Sequence, residues 1–169
     1  MIQAIAILVI AALVAVDQLT KLAVVNNLAN GGDVEVLFGL LRFRYVENTG
    51  AAFNSFRGQT TFLAIFTLVV IVAVLFILLT KKIKPGFLYW SLVVVAAGGI
   101  GNFIDRIFRG FVVDFIEPTF VDFAVFNFAD CCVTVGAVLL IVATVYDMIK
   151  ENKAYLSEKK SKDAGNENG

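Results

Sequence analysis

The chain has 169 residues, no net charge and a mean hydropathy of +0.85, and 59% of its residues are apolar. A soluble domain sits near half apolar; here the excess is gathered into membrane-length runs, so an integral membrane protein is expected. Zero net charge gives no bulk attraction to nucleic acid, and the absence of histidine removes the commonest general base and metal ligand.

The first apolar run, Ile2 to about Val25, is long enough to cross ~30 Å of hydrocarbon as a helix. Asp17, Gln18 and Lys21 interrupt it. Asp17 and Lys21 stand at i, i+4, the spacing of an intrahelical pair. The other reading turns Asp17 into the bundle as the floor of a polar site, and structural support is preferred for it. No basic side chain precedes the run, so a retained span is expected rather than a cleaved signal peptide.

Beyond this run, Val34 and Val36, then Leu41, Phe43 and Tyr45, alternate with polar or charged neighbours. Period two predicts strands, and Gly31-Gly32 and Gly39 punctuate them as turns. A small extracytoplasmic sheet lying on the membrane is expected. Asn48 ends the second strand-like run, and Thr49-Gly50 is a turn signal.

The second span, Thr60–Thr80, carries no charge. The third, Phe87–Phe108, carries Asn102, Asp105 and Arg106 at i, i+3 and i+4, on adjoining turns. Arg106 either snorkels to the interface or faces inward, pairs with a carboxylate and holds a polar substrate group. Gly98-Gly99-Ile100-Gly101 lies inside this span, with no preceding strand and no P-loop lysine. Small residues such as Ala97 and Gly101, four apart, are read as letting helices approach closely.

The segment Arg109–Asn127 is dense in aromatics, namely Phe111, Phe115, Phe120, Phe123 and Phe126. That composition suits a membrane–water interface, and Pro118 is expected to break or start a local helix there. The fourth span runs from Phe128 to about Ile149, with Asp130 in its first turn. Cys131 and Cys132 are adjacent and read as small apolar helix residues, which leaves almost no ligand set for zinc or haem. The charged tail from Lys150 to Gly169 is expected to fray.

Lysine and arginine set the expected orientation. Lys81, Lys82, Lys84 and the tail lysines mark one side as cytoplasmic, against Arg42, Arg44, Arg57 and Arg109 on the other. Both termini are then inside, and residues 26–59 and 109–127 outside.

Asp114 and Asp130 emerge at the same outer face, because a short connection joins the ends of two antiparallel spans. Taken singly, Asp130 can be a helix N-terminal carboxylate and Asp114 an interfacial group. Taken together, they read as a dyad, since carboxylates at a bilayer are costly and two of them can share a proton.

Five blocks carry a resemblance. They are Asp17-Gln18-Leu19-Thr20-Lys21, Asn48-Thr49-Gly50-Ala51-Ala52-Phe53, Gly101-Asn102-Phe103-Ile104-Asp105-Arg106, Val112-Val113-Asp114-Phe115 and Phe126-Asn127-Phe128-Ala129-Asp130. In this order and spacing, the sequence resembles the lipoprotein signal peptidase (signal peptidase II) family. The tail and the second span fall outside the likeness, and Cys131-Cys132 stands where small residues, often serine, are expected in that family.

The resemblance implies an intramembrane aspartyl endopeptidase that cleaves diacylglyceryl-modified prolipoproteins N-terminal to their lipidated cysteine. It implies Asp114 and Asp130 as the catalytic pair. It places Asn48, Asn102, Arg106 and Asn127 at the substrate or around the dyad, and leaves Asp17, Lys21 and Asp105 as structural polar residues. It implies a mainly α fold, with a four-helix transmembrane bundle, an extracytoplasmic β-cradle and an interfacial helix, forming one domain over residues 1–169. Neither a metal nor another cofactor is required, and a monomer in the bacterial inner membrane is expected, with lipid and prolipoprotein as its partners. Two other classes compete. An ion-coupled transporter would use Asp17, Asp105 and Arg106, but four spans without an evident repeat and polar residues crowded at one face argue against it. A non-catalytic assembly factor would hold a partner on the outer sheet.

Overall fold

The computed structural model describes residues 1–50, 55–80 and 83–166. Residues 51–53 of the Asn48–Phe53 block, and Lys81 and Lys82, on which the expected orientation leans, lie outside the described residues.

Four helices are long and apolar enough to cross a membrane: α1 (Ile2–Leu28), α2 (Thr60–Leu79), α3 (Phe87–Phe108) and α4 (Phe128–Asn166). The middle helix of the packing is α3, which lies against α1, α2 and α4. Its lipid-remote face is lined by small and polar residues, including Ala96, Ala97, Gly98, Gly101, Asn102 and Asp105. The outer faces of α1 and α2 show large apolar side chains such as Leu8, Leu19, Phe62 and Phe66, as a bilayer solvent requires.

Glycine lets α3 and α4 come together. A Cβ on Gly98 would fall on the Ala129 carbonyl oxygen, and one on Gly101 would sit 3.2 Å from Ala129 Cβ of α4 and 2.5 Å from Asp17 Oδ2 of α1. Backbone-to-backbone approach of this kind is the use of small residues between membrane helices. Gly98 and Gly101 serve this approach, and Ala97 is buried in the apolar core with Ala6, Ile10, Leu78 and Tyr89.

Helix α1 has 27 residues, about 40 Å at 1.5 Å per residue, and so outruns a ~30 Å hydrocarbon core. Its last turns carry the sheet: Val24 packs with Val113 and Phe115, bordered by Leu28, Phe43 and Ile116. The sheet has three antiparallel strands in the order β1 (Asp33–Val36), β2 (Leu41–Asn48) and β3 (Val112–Pro118). The alternation of Val34, Val36, Leu41, Phe43 and Tyr45 is therefore realised as a hairpin, with a bulge in the β2–β3 pairing between Phe43 and Val46.

Two expectations are corrected here. The aromatic segment after α3 contains a strand and then a non-helical stretch; none of the described residues between the spans forms a helix, so the interfacial helix is absent from them. The physical reason lies in the sequence Val112-Val113-Asp114-Phe115-Ile116, β-branched and bounded by Gly110 and Pro118, which favours a strand. Pairing with β2 on one side and with Phe126 on the other satisfies its backbone. The tail is not frayed from Lys150 but continues α4 to Asn166; residues 150–164 hold no glycine or proline, so nothing local stops a helix already nucleated in the span.

Candidate active site

The two aspartates reach one place from different elements. Asp114 lies in the middle of β3 and is 2% exposed. The chain then turns back, and Phe126 bonds Ile116 in both directions (Phe126 N–H to Ile116 O, 3.0 Å; Ile116 N–H to Phe126 O, 2.8 Å). That bridge delivers Asn127 to the start of α4 beside Asp114. Asn127 Oδ1 accepts the Asp130 N–H at 2.9 Å, and Asp130 Oδ2 accepts the Asn127 N–H at 3.1 Å. This is a reciprocal capping box, which satisfies two otherwise orphaned helix donors and holds the Asp130 carboxylate in one orientation.

Three asparagine amides then address the carboxylates. Asn127 Nδ2 donates to Asp114 Oδ1 at 2.7 Å, and Asn48 Nδ2 donates to Asp114 Oδ2 at 2.8 Å. Asn102 Nδ2 donates to Asp130 Oδ1 at 2.7 Å. Each of the four carboxylate oxygens thus accepts an N–H, and Asn127 touches both aspartates.

The direction of each amide is fixed by a partner that can only donate. Asn48 Oδ1 accepts the Gly50 N–H at 2.8 Å, closing a local turn. Asn127 Oδ1 is held by the Asp130 N–H. Asn102 Oδ1 accepts from Lys21 Nζ at 2.9 Å and from Asn127 Nδ2 at 3.1 Å. Asn48 therefore serves its own turn and Asp114 at once.

Behind the carboxylates lies a buried charge cluster. Lys21, fully buried, also bonds Asp17 Oδ2 and Asp105 Oδ2, each at 3.0 Å. The i, i+4 pair predicted for Asp17 and Lys21 exists, and Asp17 faces the bundle as well, so the two readings of that residue coexist. Arg109 Nε lies 3.3 Å from Asp105 Oδ1, so two cations balance two carboxylates. Arg106 turns from α3 toward the β2 end, where its guanidinium donates to the Gly50 carbonyl at 3.2 Å; its buried Nε has no partner among the described residues. All nine residues singled out in the sequence thus lie in one connected region. Sequence reasoning missed the reach of Lys21 to Asp105 and Asn102, and the part of Gln18, whose amide donates to Asp17, Gly101 and Asp105. The available signal was a lysine inside an apolar run, with carboxylates on two helices.

Burial above all, and then the neighbouring Asp130 charge, push the Asp114 carboxyl up to about 6. The amide donors Asn48 and Asn127 and the Lys21 charge pull the other way. Asp114 is thus poised to gain and lose a proton near neutrality.

The family model of signal peptidase (SPase) II matches residues 9–146. The chain belongs to the signal peptidase II family. It is 43% identical over 133 residues to a lipoprotein signal peptidase of Streptococcus thermophilus, covering 79% of this chain and 87% of the relative. It is 41% identical over 137 residues to one of Lactococcus lactis, covering 81% and 89%. Two solved bacterial membrane enzyme structures share the fold. One has a TM-score of 0.74 at 34% identity, covering 86% of this chain and 90% of that one; the other scores 0.72 at 35%, covering 85% and 94%. The family makes this chain an aspartic endopeptidase and a multi-pass bacterial membrane protein.

The raised Asp114 pKa has a signed consequence. The folded state binds this proton more tightly than the unfolded chain, whose aspartates titrate near 3.9, so stability falls as pH rises between about 4 and 6 and stays lower above that. The penalty is on the order of 3 kcal/mol. Asp114→Asn removes the ionisation, so its Tm in detergent should gain on the parent progressively from pH 4 to pH 7. A Tm difference that is constant across this range would contradict the raised pKa.

Proposed function

We propose that Asp114 and Asp130 are the acid/base pair with which this signal peptidase II hydrolyses its prolipoprotein substrate, on the N-terminal side of a diacylglyceryl-modified cysteine. The observation that carries the proposal is Asn127: one buried side chain donates to Asp114 and forms the capping box with Asp130, so two carboxylates are held around a common point. Like charges so placed resist ionising together, and the pair keeps one proton. The ionised carboxylate takes a proton from water; the protonated one donates a hydrogen bond to the scissile carbonyl and later a proton to the leaving amine. Water is the nucleophile, and no covalent intermediate forms.

The neighbours fit supporting parts in that reaction. Asn48, Asn102 and Asn127 each take one lone pair of a carboxylate oxygen and leave a second on each oxygen for water or substrate. Arg106, whose buried Nε has no partner among the described residues, lies beside the Gly50 turn, and its guanidinium is suited to a carbonyl of the substrate. A cleft of about 430 Å³ between α2 and α3 leads to it, walled by Ala64, Ile65, Leu68, Phe103 and Ile107. Apolar walls ending at a guanidinium match acyl chains ending in ester groups, and lateral entry from the bilayer suits a substrate that is itself lipid-anchored.

Asp114→Asn and Asp130→Asn should each nearly abolish cleavage of a lipidated prolipoprotein in detergent while leaving the protein folded, and cleavage by the parent should resist added chelator. Asn48→Ala should lower turnover per folded molecule. Substantial turnover by either purified aspartate variant would overturn the assignment.

The proposed orientation places the α2–α3 connection and the end of α4 in the cytoplasm and the dyad near the outer face. In a Cys131→Ala, Cys132→Ala background, Lys82→Cys should be protected from a membrane-impermeant thiol reagent added to intact cells. Labelling from outside would reverse the orientation.

A further inference from the structure

The buried cluster behind the dyad is built with a regularity that assembly alone does not require. Lys21 Nζ has three protons and three acceptors: Asp17 Oδ2 at 3.0 Å, Asp105 Oδ2 at 3.0 Å and Asn102 Oδ1 at 2.9 Å. Each acceptor then reaches toward one aspartate of the pair. Asp17 Oδ1 accepts the N–H of Ala129 at 3.0 Å, the residue before Asp130. Asp105 Oδ2 accepts the N–H of Val113 at 3.1 Å, the residue before Asp114. Asn102 bonds the Asp130 carboxylate itself through Nδ2. The ammonium therefore ties α1, α3, β3 and α4 together one residue away from each aspartate.

The polarity of this arrangement matters as much as its geometry. An ammonium only donates. It obliges Asn102 to present its oxygen to Lys21, and so its NH₂ to Asp130. A flipped Asn102 would set a carbonyl against Asp130 Oδ1, which repels an ionised carboxylate and competes for the proton of a protonated one.

We propose that Lys21 is a positioning residue for the chemical step: it sets the direction of the Asn102 amide and, through Asp17 and Asp105, the separation of Asp114 and Asp130. The proposal rests on the reading of those two aspartates as the acid/base pair. It separates Lys21 from a merely structural lysine because its loss should slow turnover in protein that remains folded.

Removing the lysine alone leaves two buried carboxylates with only Arg109 to balance them, which destabilises strongly. The test therefore uses a neutral cluster, Asp17→Asn/Lys21→Met, in which Arg109 still balances Asp105. In this variant the amide carbonyl at position 17 and the Asp105 carboxylate can still accept the Ala129 and Val113 N–H groups, and Asn102 loses its ammonium donor while keeping the Asn127 amide. It is combined with Asn102→Ala in a double-mutant cycle on kcat per folded molecule. The neutral-cluster variant should unfold cooperatively, bind substrate with KM within about threefold of the parent, and lose on the order of 10- to 100-fold in kcat. Adding Asn102→Ala to it should cost little more than Asn102→Ala alone. Parent-like kcat in the folded variant would overturn the proposal, as would losses that multiply in the cycle or a change confined to KM. Failure of the charge-balanced variant to fold would assign the lysine to assembly and overturn it too. If Asp114→Asn and Asp130→Asn are inactive while the neutral cluster turns over normally, the acid/base assignment stands and only the role of Lys21 falls.

Discussion

An ammonium group inside a helix bundle at membrane depth must find an acceptor for every proton, because nothing else there will solvate it. Lys21 meets that demand with Asp17, Asp105 and Asn102, and the rest of the polar architecture follows from it. Asp17 and Asp105 can be buried as carboxylates only because the lysine and Arg109 balance them. Their remaining lone pairs then take backbone N–H groups of α4 and β3, which fixes where the first turn of one element and the middle of the other must lie.

From this hub, polarity passes outward in one direction. Lysine orients Asn102; the α4 capping box orients Asn127; the Gly50 turn orients Asn48. Each asparagine spends its oxygen on a fixed donor and has its NH₂ left for a carboxylate. The outcome is two aspartates met by amides rather than by cations, so neither is locked into its ionised form as a salt bridge would lock it. That leaves burial and mutual repulsion free to raise Asp114 toward neutrality, the condition for moving protons in both directions. Close approach of α3 and α4 at Gly98 and Gly101 is what brings Asn102 within reach of Asp130.

Much of this was legible in the sequence. The four spans stood out by length and hydropathy, and α3 occupies the expected Phe87–Phe108. The β1–β2 hairpin showed its period of two. The nine polar residues chosen from the motifs do gather in one region. What escaped was tertiary. The strand β3 read as interfacial because its inward and outward positions are both buried, from Val112 to Phe115, so no alternation betrayed it; β-branching between Gly110 and Pro118 was the remaining signal. The triple role of Lys21 escaped because i, i+4 spacing names a partner on the same helix and says nothing about α3. The continuation of α4 to Asn166 escaped because charge was read as disorder where helix propensity and continuity prevail.

The central claim, that Asp114 and Asp130 share one catalytic proton, is tested most directly by the pH dependence of kcat/KM with a lipidated substrate in detergent, over the range in which the protein stays folded. The account predicts a bell, its acid limb marking the loss of the general base and its alkaline limb the loss of the shared proton; both apparent pKa values belong to the pair. A profile that is flat from about pH 4 to 9, or one that rises with pH without an alkaline limb, would contradict a pair that must carry one proton to work.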